Sequence, residues 1–235
     1  TVYFGSNDGH LYAVDTANGQ EQWSFETNGE IESSPAISGG TVYTGSFDNH
    51  LYAIDIVSGQ EQWSFKTGGG IVPSPAILGG TVYIGSFDSQ LYAVDTASGQ
   101  QQWSFGTYGG IASSPAISGG TVYFGSGGGH MHAVDIESGQ QQWSFKTDGM
   151  IISSPAITGD TVYFGSGDGV LYAVKGEGSS NESISPGLLS SPAREVERLE
   201  ESLGVNCTSM AELGGSNDYG CLRNNQFVMI FYDDV

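Results

Sequence analysis

Basic side chains are scarce in this sequence: six Lys and Arg stand against 26 Asp and Glu, for a formal charge of −20 at pH 7. A surface of that sign repels phosphate backbones, which argues against nucleic acid as a partner. Cysteine is nearly absent, with only Cys207 and Cys221, fourteen positions apart. Two thiols lack the two further ligands of a structural zinc site. They permit a single bridge in an oxidising compartment, closing a loop for which chain entropy gives about 3 kcal/mol. No apolar run is long enough for a membrane-spanning helix and no secretory leader is visible, so the amino terminus at Thr1 is expected to be a processed or truncated one. The first 175 residues also lack helical periodicity.

What fills those residues is a repeat. Thr-Val-Tyr recurs at Thr1, Thr41, Thr81, Thr121 and Thr161, and Trp recurs at Trp23, Trp63, Trp103 and Trp143, a period of forty residues. Within one unit, Val2-Tyr3-Phe4, Leu11-Tyr12-Ala13-Val14 and Gln22-Trp23-Ser24-Phe25 read as short strands, and a Ser-Pro-Ala segment supplies a fourth. Asp8-Gly9 and Asp168-Gly169 suit tight hairpin turns; Asn18-Gly19 and Ser58-Gly59 provide the positive φ needed before the Trp strand. Four short strands per repeat describe one β-propeller blade, so the expected fold is all-β, with five repeat units of four-stranded antiparallel blades over residues 1–175.

Four of the five units carry a more specific pattern, Ala-x-Asp-x-x-x-Gly-x-x-x-Trp: Ala13/Asp15/Gly19/Trp23, Ala53/Asp55/Gly59/Trp63, Ala93/Asp95/Gly99/Trp103 and Ala133/Asp135/Gly139/Trp143. This resembles the tryptophan-docking motif of the pyrroloquinoline-quinone-type (PQQ-like) propeller repeat. The resemblance implies that each indole packs against the neighbouring blade, with Ala leaving room and Asp and Gly shaping the turn. An aromatic of that size is a strong anchor between repeats in its own right. The fifth unit departs from the pattern, with Ala173-Val174-Lys175 and no following Trp. Propellers of this family usually have about seven or eight blades, so five units imply a small ring, an assembly of chains or a fragment of a larger parent.

Beyond Lys175 the composition shifts. Residues 176–190 read as a Gly/Ser-rich linker, and 191–235 as a small tail with a helix from Ser191-Pro192 to Gly204 and an apolar strand from Gln226 to Tyr232. Because the first unit lacks an inner Ser-Pro-Ala strand and the fifth lacks a Trp strand, that tail strand is expected to pair with a propeller edge or with another chain. Asn181 and Asn206 begin N-glycosylation sequons. Together with the cysteines these favour an exported protein, extracellular or at the cell surface, or periplasmic in a bacterium. Few Lys and many exposed Gln, Ser and Thr fit either a high-salt habitat, where repulsion between carboxylates is screened, or an ordinary acidic secreted protein.

Catalytic or cofactor groups in a propeller should collect where blades converge at the axis. The inner segments there, Glu32-Ser33-Ser34-Pro35, Val72-Pro73-Ser74-Pro75, Ala112-Ser113-Ser114-Pro115 and Ile152-Ser153-Ser154-Pro155, hold one carboxylate, several hydroxyls and no base. The PQQ-like resemblance implies, for a quinoprotein dehydrogenase, a calcium ion with acidic and amide ligands, a basic group and usually adjacent cysteines, and this constellation has no counterpart here. His10, His50 and His130 share one repeat position, too far from the axis to meet at a metal, and Asp8, Asp48, Asp88 and Asp168 are read as turn residues. No catalytic, cofactor or metal residue is therefore assigned. The expected function is a non-catalytic exported scaffold for protein–protein interaction or cell-surface assembly, with a truncated quinoprotein using PQQ and calcium, or a ligand sensor, as the alternative. The outer-membrane-assembly lipoprotein propeller is a further scaffold that the repeat resembles.

Overall fold

The computed structural model describes residues 1–175 and the strand backbones of 206–209, 219–223 and 226–230. The chain divides into two compact units, Thr1–Gly178 and Ser179–Val235.

The first unit is a succession of antiparallel sheets, all strand and turn among the described residues. Blade one has β1 (Val2–Gly5), β2 (His10–Val14) and β3 (Glu21–Glu26). Blade two adds an inner strand, running β4 (Ala36–Ser38), β5 (Thr41–Gly45), β6 (His50–Asp55) and β7 (Glu61–Lys66). Blade three repeats it with β8 (Ala76–Leu78), β9 (Thr81–Gly85), β10 (Gln90–Asp95) and β11 (Gln101–Gly106), and blade four with β12 (Ala116–Ser118), β13 (Thr121–Gly125), β14 (His130–Asp135) and β15 (Gln141–Lys146). Blade five stops after β16 (Ala156–Thr158), β17 (Thr161–Gly165) and β18 (Leu171–Lys175). In every blade sequential strands are sheet neighbours, the meander that short hairpin connections dictate. The four-stranded blade expected from the repeat is thus complete in blades two, three and four, while blades one and five have three strands.

Short inner strands β4, β8, β12 and β16 lie beside one another. Just before them the Ser34 amide donates to Ser74 Oγ at 3.0 Å, Ser74 to Ser114 Oγ at 2.9 Å and Ser114 to Ser154 Oγ at 3.1 Å. Residues forty apart touch only where blades crowd together, so this serine belt marks the axis side of the stack.

The core is not inside any blade; it lies between blades. Tyr43, Leu51, Ala53 and Ile71 of blade two and its following loop meet Val82, Ile84 and Val94 of blade three. The same seam recurs on either side, with Leu11 and Ile31 meeting Val42, Tyr52 and Ile54, with Tyr83, Leu91 and Ile111 meeting Val122, Phe124 and Val134, and with Met131 and Ile151 meeting Val162 and Phe164. One glycine in each of blades one to four lets the loop that follows the blade close on it: a Cβ on Gly45 would stand 2.1 Å from Ile71 Cγ2, so no larger residue fits unless that loop lifts away. Where no further described blade follows, the same surface is open. Leu171 is 67% exposed, whereas its equivalents Leu11, Leu51 and Leu91 are at 0%.

The Trp strands contain a feature that alternation alone does not reveal. Ala53 pairs with Trp63 but Ile54 pairs with Glu61, so Gln62 bulges from the ladder, as do its counterparts in blades one, three and four. The bulged Gln62 accepts from Thr41 Oγ1 at 3.1 Å, tying the outer strand back across its blade.

In the second unit, β19 (Asn206–Ser209), β20 (Tyr219–Arg223) and β21 (Gln226–Ile230) form an antiparallel sheet in that order. The apolar run at Phe227 is a strand, as its composition implies, and it pairs with β20, only two residues upstream. A short connection makes that pairing far cheaper in chain entropy than a distant one. The expected helix at 191–203, the linker and Asn181 lie outside the described residues.

At the turn that follows the Thr-Val-Tyr strand of each blade the backbone is left-handed: φ is 85° at Gly9, 76° at Gly129 and 85° at Gly169, but Asn49 (74°) and Ser89 (69°) hold the same conformation without being glycine. Asn tolerates it; Ser carries the Cβ strain. Ser89→Gly should therefore raise stability by about 0.5–1 kcal/mol after the extra unfolded-state entropy of glycine is subtracted, read as a higher denaturant midpoint, and an unchanged or lower midpoint would contradict the strain.

Candidate functional site

Three groups of side chains singled out by the repeat can be followed into the seams. The first is the docking motif. Trp23 lies against Gly59 of the next blade, Trp63 against Gly99 and Trp103 against Gly139, so close that a Cβ on each glycine would stand 2.7 Å from the indole. Each indole also donates across the seam, Trp23 to the Ile56 carbonyl at 3.2 Å, Trp63 to Thr96 at 2.9 Å and Trp103 to Ile136 at 3.0 Å. The matching acceptor for Trp143 falls on residue 176, outside the described residues. Ala13, Ala53, Ala93 and Ala133 stand directly opposite these tryptophans within their own blades. Asp15 Oδ1 accepts the Ala17 amide at 2.7 Å, while Asp55, Asp95 and Asp135 each accept both the amide and the hydroxyl of the Ser three residues on. Those bonds hold the Asp55, Asp95 and Asp135 carboxyls below the ordinary aspartate range.

The second group is the row of turn acids. Asp48 Oδ2 accepts from Tyr52 Oη at 2.7 Å and, across the seam, from the Asn28 amide at 2.9 Å. Asp88 does the same with Tyr92 (2.8 Å) and the Gly68 amide (2.6 Å), and Asp168 with Tyr172 (2.9 Å) and the Asp148 amide (3.2 Å). The second oxygen caps the turn, accepting the His50, Gln90 or Val170 amide at 3.0 Å. Both carboxylate oxygens are thus engaged, and the acid works as a fastener between blades. Burial, then the bond to the carboxylate, raises the Tyr52 and Tyr92 hydroxyls well above the phenol range and Tyr172 to about 12. Burial pushes the Asp168 carboxyl up, but the Val170 amide and Tyr172 hydroxyl outweigh it and leave the pKa lowered.

The third group is histidine. His10, His50 and His130 each open the third strand position of their blade and turn Nδ1 toward the carbonyl of residue 8, 48 or 128, at 3.2, 3.0 and 3.2 Å. Among the described residues no three His, Cys, Asp or Glu side chains come together as a metal-binding group. His132, by contrast, has a role that the repeat alone does not suggest. It occupies the place held by Tyr12, Tyr52, Tyr92 and Tyr172 in the other blades, in the one blade whose turn acid is replaced by Gly128. A side chain at 128 has no room: a Cβ would stand 2.1 Å from the Tyr108 carbonyl oxygen. The imidazole fills the gap, buried, stacked on Phe124 at 5.2 Å and beside Phe105, with Nδ1 3.1 Å from Gln141 Oε1 and Nε2 3.3 Å from Ser126 Oγ. The paired loss of Asp and Tyr in blade four was the available sequence signal.

Residues 1–185 match the family model described as beta-alanine-activating enzyme, beta-propeller, and the chain belongs to that β-propeller family. Among solved structures it is similar to BamB from Moraxella catarrhalis, at 25% identity and a TM-score of 0.67, covering 74% of this chain and 54% of that one. The computationally designed protein Ika8 gives 21% identity and a TM-score of 0.67 over 74% of this chain and 54% of its own. The designed protein Ika4 gives 22% and 0.61 over 67% of this chain and 98% of its own. The two designed proteins share the fold alone. The chain spans about half the length of BamB and Ika8, and no curated protein gives a significant match.

Two measurements check the seam chemistry. Trp63→Ala removes a half-buried indole and its hydrogen bond and should cost about 3–5 kcal/mol; a loss under ~1 kcal/mol would mean the indole is not an anchor. Burial lowers the His132 pKa, with the Gln141 bond opposing and neighbouring His130 assisting. The folded imidazole therefore stays neutral where the unfolded one, near 6.5, takes a proton. Its stabilising contribution is complete above that pH and is lost as pH falls below it. The melting temperature should drop less between pH 7.5 and pH 5 in His132→Phe than in the wild type, and parallel curves would remove His132 from the account.

Proposed function

We propose that the chain is a non-catalytic, exported scaffold for protein–protein interaction or cell-surface assembly. The observation that carries this reading is the engagement of the repeated acids and tryptophans in the seams, where Asp48, Asp88 and Asp168 each bond a tyrosine and the neighbouring blade's amide. At the axis side the inner segments present a belt of serines bonded to one another's amides. A PQQ site requires calcium ligands and a basic group among such segments, and Glu32 is the one carboxylate they offer. These residues do not fit that cofactor. The likeness to BamB of a bacterium supports an envelope location, periplasmic or at the surface.

A second reading follows from the family, which takes its description from a beta-alanine-activating enzyme. On that reading the chain is the propeller module of an enzyme whose chemistry resides elsewhere, and it again acts by binding. Both readings separate from a truncated quinoprotein by one assay. With PQQ, calcium and a dye acceptor added, alcohol or aldose oxidation should stay at background; turnover that disappears when PQQ is withheld would refute the scaffold.

Export also bears on the tail. Cys207 stands directly opposite Cys221 in the β19–β20 ladder, and opposed residues of an antiparallel pair are about 4.5–5.5 Å apart at Cα, within disulfide range. We infer a cross-strand disulfide there. Non-reducing peptide mapping should recover the two cysteines in one linked fragment, and quantitative alkylation of both thiols in native protein purified from the oxidising side would contradict it.

A further inference from the structure

One face of the blade stack carries a row of exposed apolar side chains that the seams leave unused. Phe47 and Phe87 occupy the same turn position in blades two and three, 37% and 45% exposed, with ring centroids 5.9 Å apart. Equivalent positions that close must lie toward the axis. Between and beyond the two rings the loops are glycine: a Cβ on Gly70 would stand 3.0 Å from the Phe47 ring, and one on Gly110 3.1 Å from Phe87 Cα. Backbone pairing continues the row seam by seam, from Phe47 N–H to the Glu30 carbonyl, Phe87 to Gly70, Gly127 to Gly110 and Gly167 to Met150. At the fourth seam Met150 and Ile152 are 59% and 62% exposed.

The composition along the row is directional. Loop positions 30 and 32 are Glu30 and Glu32 at the first seam, and their equivalents at the fourth are Met150 and Ile152. Both glutamates are exposed, and so is Asp148 beside Met150. The only Lys or Arg among residues 1–175 are Lys66, Lys146 and Lys175, each closing a strand. The row is therefore an apolar track, with aromatic and aliphatic seats along it and the Glu30 and Glu32 carboxylates at its first end. An exposed apolar patch with an acidic rim marks a binding surface, and its charge selects a cationic partner.

Resting on the scaffold reading, we propose that this track binds an extended segment of a partner protein. Bulky apolar side chains of that segment seat on Phe47, Phe87, Met150 and Ile152, and Lys or Arg residues at one end face Glu30 and Glu32. Gly70 and Gly110 leave room for the Phe47 and Phe87 side chains, which lie over them and are held there as seats. An extended strand-like segment matches a row of repeated seats better than a helix does, because its side chains project at regular intervals along one line.

A random linear-peptide display library panned on the full chain tests this directly. Enriched peptides should combine aromatic or large aliphatic residues with Lys or Arg. Their binding should fall about tenfold or more on Phe47→Ser/Phe87→Ser. It should weaken several-fold on Glu30→Gln/Glu32→Gln, with a smaller dependence on salt. Met150→Ser/Ile152→Ser provides a second loss at the other end should the phenylalanine pair disturb the fold, which an unchanged melting curve checks. Enriched peptides without basic residues, or peptides that bind all three variants as well as wild type, would overturn the track while leaving the scaffold reading standing. No enrichment over an unrelated acidic protein would overturn the track, and the scaffold reading falls only if the PQQ-dependent assay is positive.

Discussion

Everything in the first unit depends on the face-to-face contact between one blade and the next. A three- or four-stranded meander has no interior of its own, so its apolar side chains can leave water only against a neighbour. The sequence meets that constraint with a lock repeated along the stack: the indole of Trp63 over Gly99, and its N–H handed to a carbonyl of the following blade. A large residue against glycine, with a hydrogen bond beside it, fixes the spacing between blades at the outer strand.

Polar side chains serve the same contact. A carboxylate that accepts a tyrosine hydroxyl from its own blade and an amide from the preceding one is satisfied only when the two blades are in register. The bond to a charged acceptor in a part-buried site is among the stronger neutral–charged contacts available, about 1.5–3 kcal/mol. The third seam dispenses with it. There Tyr108, Gly128 and His132 replace the amide-donating loop residue, the acid and the tyrosine together, and what spans the seam is Phe105 of blade three, edge-on to Phe124 and His132. This seam is held by packing instead of by a carboxylate, and its buried imidazole couples it to pH.

Much of this was legible in the residues. The Thr-Val-Tyr period, the Asp-Gly and Asn-Gly turns and the Ala-Asp-Gly-Trp spacing located the strands of all five units, because local turn chemistry and alternation agree with the tertiary fold. The bulge at Gln62 was not legible, since a strand's register depends on its partner and not on its own alternation. The role of the turn acids was read as turn chemistry, which accounts for one oxygen of Asp48; the other oxygen reaches an amide twenty residues back, a contact that spacing alone does not reveal. His132 is not legible from its own strand, because its burial follows from the joint loss of the acid at 128 and the tyrosine at 132, two positions that meet only in the fold. The tail strand was recognisable from its apolar run, but its partner was not, as β20 contains glycine and arginine and has a weak strand signal.

Asp48, Asp88 and Asp168 are the acids that fasten one blade to the next. Native-state hydrogen exchange, resolved by NMR, addresses this amide by amide. The Asn28, Gly68 and Asp148 amides, each bonded to a carboxylate across a seam, should exchange far more slowly than the amide of Tyr108, which faces Gly128 and has no such acceptor. Equal and fast exchange at all four positions would contradict the account, because the carboxylates would then be free for another purpose.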